Sequence, residues 1–183
     1  MTDFTVEDNY LNDVDFHKLT QWFSPLVSTS KSKNRNGGGI PWCLVQHITG
    51  ISADCPDIYD YYWLHLFYED NDVRSLGFGE LIPLLFKIGI TPSNKEKLIR
   101  AKANLYTVTP TIIEHGYHMD YEVPSTTSVF YVNTNDGYTK FRDGSVIDSV
   151  ANRLLTFPTL TEHTSSSCTN APYRININLN YKV

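Results

Sequence analysis

Residues 114–123 read EHGYHMDYEV, which places two histidines, two glutamates and an aspartate in one short stretch. Successive side chains of a strand point to opposite faces, so His118 and Asp120 share a face while His115 points away from it. A His-x-Asp pair alone is also what a solvated strand end looks like. The later stretch FPTLTEHTSSSCTNAPYRININLNY changes the reading. His163 lies far enough beyond Asp120 for intervening strands to travel out and back. It can therefore supply the third vertex of a two-histidine, one-carboxylate triangle. Such a facial set leaves adjacent positions open on an octahedral ferrous ion, enough for a chelating molecule and dioxygen. Further on, Arg174 opens a strand whose even positions, Arg174, Asn176, Asn178 and Asn180, are polar. The odd positions Ile175, Ile177, Leu179 and Tyr181 are almost wholly apolar. At the head of the polar row, an arginine offers a planar, permanently charged fork to a carboxylate.

These groups need a frame, and the second half of the chain supplies it. LIRAKANLYTVT, TTSVFYVN, YTKFRDG, SVANRLLTF and YRININLNY are short, rich in β-branched and aromatic residues, and separated by turns. NTNDGY reads as a hairpin turn, because Asn-Asp-Gly tolerates positive φ. Such a succession predicts an antiparallel sandwich or barrel with a helical layer outside it. In the first half, apolar residues recur at helical spacing from Val6 to Leu26, with Thr5 as N-cap. DVRSLGFGELIPLLFKIG predicts a second helix opened by Asp72 and closed by Gly89, with a bend or restart at Pro83. Between them, YDYYWLHLFYED reads as an edge strand, its aromatic run serving as packing or as a substrate wall. SKSKNRNGGG, residues 30–39, is a polar loop or lid. No internal repeat and no second domain is visible.

In this order and spacing, His118-x-Asp120, His163 and Arg174 resemble the iron(II)- and 2-oxoglutarate-dependent dioxygenases, in particular their prolyl 4-hydroxylase-like branch. VFYVN resembles the family's Tyr-x-Asn strand, GYTKF its Gly-x-Thr-x-Phe hairpin, and NRLLTFP the strand before the distal histidine. The resemblance covers roughly residues 98 to 181. It implies a double-stranded β-helix, a jelly-roll barrel with the metal at its open end, mainly β with N-terminal helices. The expected arrangement is one dioxygenase domain, with 1–97 as helical support and flanking strands and 98–183 as the barrel core. His118, Asp120 and His163 would bind Fe(II). Arg174 and Tyr131 would meet the distal carboxylate of 2-oxoglutarate, with Tyr106 and Asn178 as further residues of that pocket. His115 would be a surface group or stand behind the ligands. The cosubstrates implied are 2-oxoglutarate and O2, with ascorbate as an accessory reductant. Protein or peptide, and a peptidyl proline first, is the expected substrate.

Two other readings compete. An AlkB-type nucleic-acid demethylase would carry Arg-x-Asn-x-Thr-x-Arg, and RININLN matches only its first two residues. A cupin-like metal-binding module without turnover would share the barrel but has no use for a carboxylate clamp. The composition narrows the field further. The chain has 183 residues, 41% of them hydrophobic, and a formal charge of -5, which opposes a dedicated phosphate-binding surface. No apolar run reaches membrane-spanning length, and MTDFTVEDNY is acidic where a signal peptide would be basic and then apolar. Cys43, Cys55 and Cys168 form no CxxC pair, which suits a reducing, cytoplasmic setting. Cys168 reads as a loop cysteine or a redox-sensitive thiol near the metal.

Overall fold

The computed structural model describes residues 2–23, 40–46 and 57–183. The loop 30–39 and Cys55 lie outside them. The chain begins with β1 (Thr5–Glu7), α1 (Asp13–Phe23), β2 (Cys43–Gln46), β3 (Tyr61–Glu69), β4 (Asp72–Val73) and α2 (Ile82–Lys87). It continues through β5 (Leu98–Thr107), β6 (Thr126–Tyr131), β7 (Tyr138–Phe141), β8 (Val146–Asp148), β9 (Arg153–Pro158), β10 (His163–Ser165) and β11 (Tyr173–Tyr181). The large sheet runs β1-β9-β6-β11-β5-β3-β2, with β4 beside β3, and a small sheet runs β10-β7-β8. Every pairing within these sheets is antiparallel. The small sheet packs on one face of the large one and the helices on the other. This is the mainly-β jelly roll with a helical layer that the strand pattern implies.

The alternation along β5 and β11 separates these two faces. Ile175, Ile177 and Leu179, with Ala101, Ala103 and Leu105 of β5, join Leu19, Phe23, Leu84 and Leu85 from the helices in the main core. Each large aliphatic side chain sealed there contributes about 1.5–3 kcal/mol. Val129, Tyr131, Phe141, Ile147, Leu155 and Phe157 form a smaller core between the sheets. Many of the remaining inward positions are polar, and Asn104, Asn176, Asn178, Thr139 and Ser165 among them line the site.

Several local expectations are revised. The first helix begins at Asp13, not near Thr5, because Thr5–Glu7 pairs with β9 and Asn9 turns the chain at φ 52°. Asn12 caps it, accepting from the Asp15 amide at 3.0 Å and donating to the Asp15 carboxylate at 2.7 Å. Val6 and Val14, which set the early periodicity, are exposed. The second helix is also shorter. Asp70 and Asn71, both at positive φ, make the β3–β4 hairpin turn, and a 3-10 turn spans Leu76–Leu81. Helix α2 then starts at Ile82 with Pro83 in its first turn, where a missing N–H costs nothing. β3 is an interior strand, with β2 outside it. Finally, NTNDGY is no hairpin. It carries the chain from β6 in the large sheet to β7 in the small one, and none of its residues has positive φ.

Candidate metal centre

His118 and His163 sit opposite each other in an antiparallel bridge, their backbones exchanging hydrogen bonds of 2.9 and 3.0 Å. Their ring centroids are 4.5 Å apart. Each Nδ1 lies near the carbonyl two residues earlier, Gly116 at 3.3 Å for His118 and Thr161 at 3.0 Å for His163. With Nδ1–H donating there, each Nε2 carries a lone pair, the form a metal ligand needs. Both Nε2 atoms face Asp120, at 4.0 Å from Oδ1 for His118 and 3.9 Å from Oδ2 for His163. The three ligand atoms lie within 4.8 Å of one another. Phe157 packs edge-on against His163 at 4.8 Å and fixes the ring.

The electrostatics suit a cation. Burial pushes the Asp120 carboxyl up, but His163, Lys102 and His118, with the Asn178 amide, outweigh it and hold Asp120 well below the usual carboxylate range. Asn178 Nδ2 donates to both Asp120 oxygens, at 3.2 and 3.1 Å. Asn178 lines the cavity and braces a ligand. Burial, reinforced by His163, lowers His118 to about 4, so its imidazole is neutral at physiological pH.

A cavity of about 250 Å³ opens beside His118, Asp120 and His163, with Tyr62, Lys102, Tyr106, Thr139, Ser165 and Asn178 among its walls. Arg174 and Tyr131, each 0% exposed, stand behind this wall. Tyr131 O–H donates to Thr139 Oγ1 at 2.8 Å, and Arg174 Nη2 donates to the same oxygen at 3.3 Å. Arg174 Nη1 reaches the Ser166 carbonyl at 3.2 Å, while its buried Nε has no partner among the described residues. The Thr139 oxygen accepts twice, which leaves its own O–H to donate. Thr139 was missed as a site residue, although the Gly-x-Thr-x-Phe pattern contained it. The glycine of that pattern has a steric reason. A Cβ on Gly137 would stand 2.6 Å from Arg174 Cδ and 2.6 Å from the Ser167 carbonyl oxygen.

Tyr106 forms part of the cavity wall. Its ring stacks between Tyr62 (5.8 Å) and His115 (5.2 Å), with the Arg174 guanidinium 5.3 Å away. Its hydroxyl accepts from Ser165 Oγ at 3.0 Å. His115 is buried rather than superficial, and burial lowers it to about 4. Cys168 is fully buried, with its thiol directed at the Ala171 carbonyl. Of the aromatic run, Phe67 and Tyr68 pack in the core and Tyr62 lines the cavity.

The fold that carries this site is that of the 2-oxoglutarate- and iron(II)-dependent oxygenases, prolyl hydroxylases among them. A prolyl hydroxylase in complex with a hypoxia-inducible-factor peptide from Trichoplax adhaerens superposes over 100% of this chain and 84% of its own. The TM-score is 0.65 and the identity 14%. A viral collagen prolyl hydroxylase from Paramecium bursaria Chlorella virus-1, solved with 2-oxoglutarate, gives 0.58 and 12% over 98% of this chain and 96% of its own. An α-ketoglutarate-dependent non-heme epimerase from nogalamycin biosynthesis gives 0.61 and 11% over 98% and 77%. The shared architecture thus spans more than one reaction. No protein-family model matches the sequence, and no curated protein matches it significantly. Among the described residues, no helix is long and apolar enough to cross a membrane.

Proposed function

We propose that the chain is an Fe(II)- and 2-oxoglutarate-dependent dioxygenase that hydroxylates a C–H bond, a peptidyl proline being the first substrate to test. One observation carries this reading: two imidazoles and a carboxylate held below its usual range converge at a cavity whose wall also contains a hydroxyl backed by a buried arginine. His118, Asp120 and His163 would hold Fe(II). Two histidines and one carboxylate suit that ion and leave positions for other ligands. When bound, iron would bring dioxygen, the oxidant, together with 2-oxoglutarate, whose oxidation to succinate and CO2 supplies two of the four electrons, the substrate C–H bond supplying the other two.

The chain's own residues do the rest. Asn178 fixes the carboxylate, and the carbonyls of Gly116 and Thr161 fix the imidazole tautomers. Thr139 pairs with Ser165, two residues along β10 from His163, or about 7 Å. That distance is of the order of a five-carbon dicarboxylate's length. Thr139 would donate to the far carboxylate, with the Arg174 charge behind it and Tyr131 orienting it. The unpartnered Arg174 Nε fits a group built to meet an anion. Tyr106 would close the side of the pocket. The peptide complex of the Trichoplax prolyl hydroxylase supports a peptide substrate.

The test is direct. With Fe(II), 2-oxoglutarate and oxygen, the protein should form succinate, and a proline-containing peptide that is a substrate should gain the mass of one oxygen. Failure of the metal-loaded protein to bind 2-oxoglutarate would overturn the reading in favour of a metal-binding module.

A further inference from the structure

The cavity holds more positive charge than the ligands and a cosubstrate clamp require. Arg100, Lys102, Asn104 and Tyr106 line it from alternate positions of β5, and Asp120 is the acid among its lining residues. Arg100 already has partners. Its Nε donates to Asn180 Oδ1 at 3.2 Å, its Nη2 reaches the Asp120 carbonyl at 3.4 Å, and that nitrogen stands 3.9 Å from Asp120 Oδ1. Lys102 differs. Among the described residues its ammonium makes no hydrogen bond and no ion pair, and it stands 5.5 Å from the centroid of the Tyr62 ring. Burial, with Arg100 beside it, lowers this ammonium to about 8, outweighing the opposing pull of the Asp120 and Glu69 carboxylates. Beside it, Asn104 and Asn178, each 5% exposed, have side-chain oxygens with no partner among the described residues. Asn178 is the cross-strand neighbour of Lys102, and Asn104 is the next residue on the same face.

Position decides what this group serves. Along β5, Lys102 and Tyr106 are four residues apart, about 13 Å, and Arg174 pairs with Tyr106 whereas Asn178, the brace of Asp120, pairs with Lys102. Lys102 is therefore at the metal end of the cavity, remote from the clamp. Resting on the dioxygenase reading above, we propose that Lys102, flanked by the amide oxygens of Asn104 and Asn178, forms a subsite for a carboxylate carried by the substrate. The ammonium pairs with the carboxylate, and the amide oxygens accept an N–H next to it. Two sources share this chemistry, the α-carboxylate of a free amino acid and an acidic side chain beside the oxidised residue of a peptide.

The experiment is calorimetric titration of the Mn(II)- and 2-oxoglutarate-loaded protein, without oxygen, with matched carboxylate and carboxamide probes. The pairs are acetate and acetamide, L-proline and L-prolinamide, and acetyl-Glu-Pro-amide and acetyl-Gln-Pro-amide. At least one carboxylate should bind roughly tenfold more tightly than its carboxamide, the scale of one charge-assisted contact. Which pair shows the preference identifies the source. Lys102→Gln should erase it, and Lys102→Arg, which keeps the cation and guards against a folding defect, should retain it. Equal binding within every pair overturns the subsite, as does a preference that survives Lys102→Gln, which would mean ligation to the metal. Absence of 2-oxoglutarate binding to the Mn(II)-loaded wild type would instead overturn the dioxygenase reading itself.

Discussion

The two faces of β11 are equally dry and chemically opposite. Ile175, Ile177 and Leu179 are 0–1% exposed against the helices, while Arg174, Asn176, Asn178 and Asn180 are 0–5% exposed on the barrel side. On the apolar face stabilisation is shared among many non-directional contacts, so no neighbour is indispensable. On the polar face each group answers to a named partner. Asn176 accepts from Asn104 at 3.0 Å, Asn180 donates to Thr127 at 3.0 Å, Asn178 braces Asp120, and Arg174 meets Thr139. Burying polar groups is costly unless they are paired, so this face is tolerable only because its bonds are made. Among the described residues, bonds are left unmade at Arg174 Nε, Asn104 Oδ1 and Asn178 Oδ1, around the site.

Substitutions on the two faces should therefore fail in different ways. The largest effect is expected for His163→Ala, which removes a vertex of the triangle. Iron-dependent succinate formation should vanish, and metal affinity should fall by more than the roughly 10–100-fold typical of losing an outer partner. Equilibrium metal titration checks this. On the apolar face, Ile177→Ala should cost about 2–5 kcal/mol in urea unfolding, yet leave metal affinity intact while the protein is folded. A loss of metal binding in folded Ile177→Ala protein would erase the distinction between the faces. Arg174→Ala should raise the 2-oxoglutarate dissociation constant at least roughly tenfold with iron still bound, because it removes the charged donor that backs the Thr139 hydroxyl. Equal 2-oxoglutarate affinity in wild type and variant would refute that role.

Acidification gives a subtler separation. His115 and His118 on the barrel side are both lowered to about 4, mainly by burial. Between about pH 6.5 and pH 4 the unfolded chain binds protons at these positions that the folded chain refuses, so stability falls as pH drops through that window. His65, lowered by burial among the aromatic rings of the helix side, adds to the same slope. Unfolding free energies measured across the window should show the decline, and His115→Phe should flatten it. The smallest effect is expected for Tyr131→Phe. Losing one neutral donor to Thr139 costs about 1 kcal/mol, hence about a fivefold weaker hold on 2-oxoglutarate in the same titration.

What could be read from the amino acids follows the same division. The alternation of RININLNY announced both faces of β11, because a period of two is a local property. His118, Asp120 and His163 could be singled out because few other chemistries need those types in that order. Their convergence is seen only in three dimensions, as is the role of Thr139, which depends on a small sheet folding over a large one. Turn chemistry misled at NTNDGY. There the Asn-Asp-Gly signal was real, but tertiary structure used the segment to change sheets, and the adjacent hairpin turn falls one strand later, between β7 and β8, where Gly144 takes φ 90°. The early helix failed similarly, since Thr5–Glu7 had a strand partner, β9, far away in sequence.

The bare backbone at position 137 leaves room for the guanidinium behind the cavity wall. A single methyl group there would act as a wedge, prising the arginine from its hydroxyl partner while every ligand-touching side chain stayed unchanged. On the proposed function, loss of activity can thus begin at a carbon that never meets a reactant, and a scan confined to contact residues would overlook it.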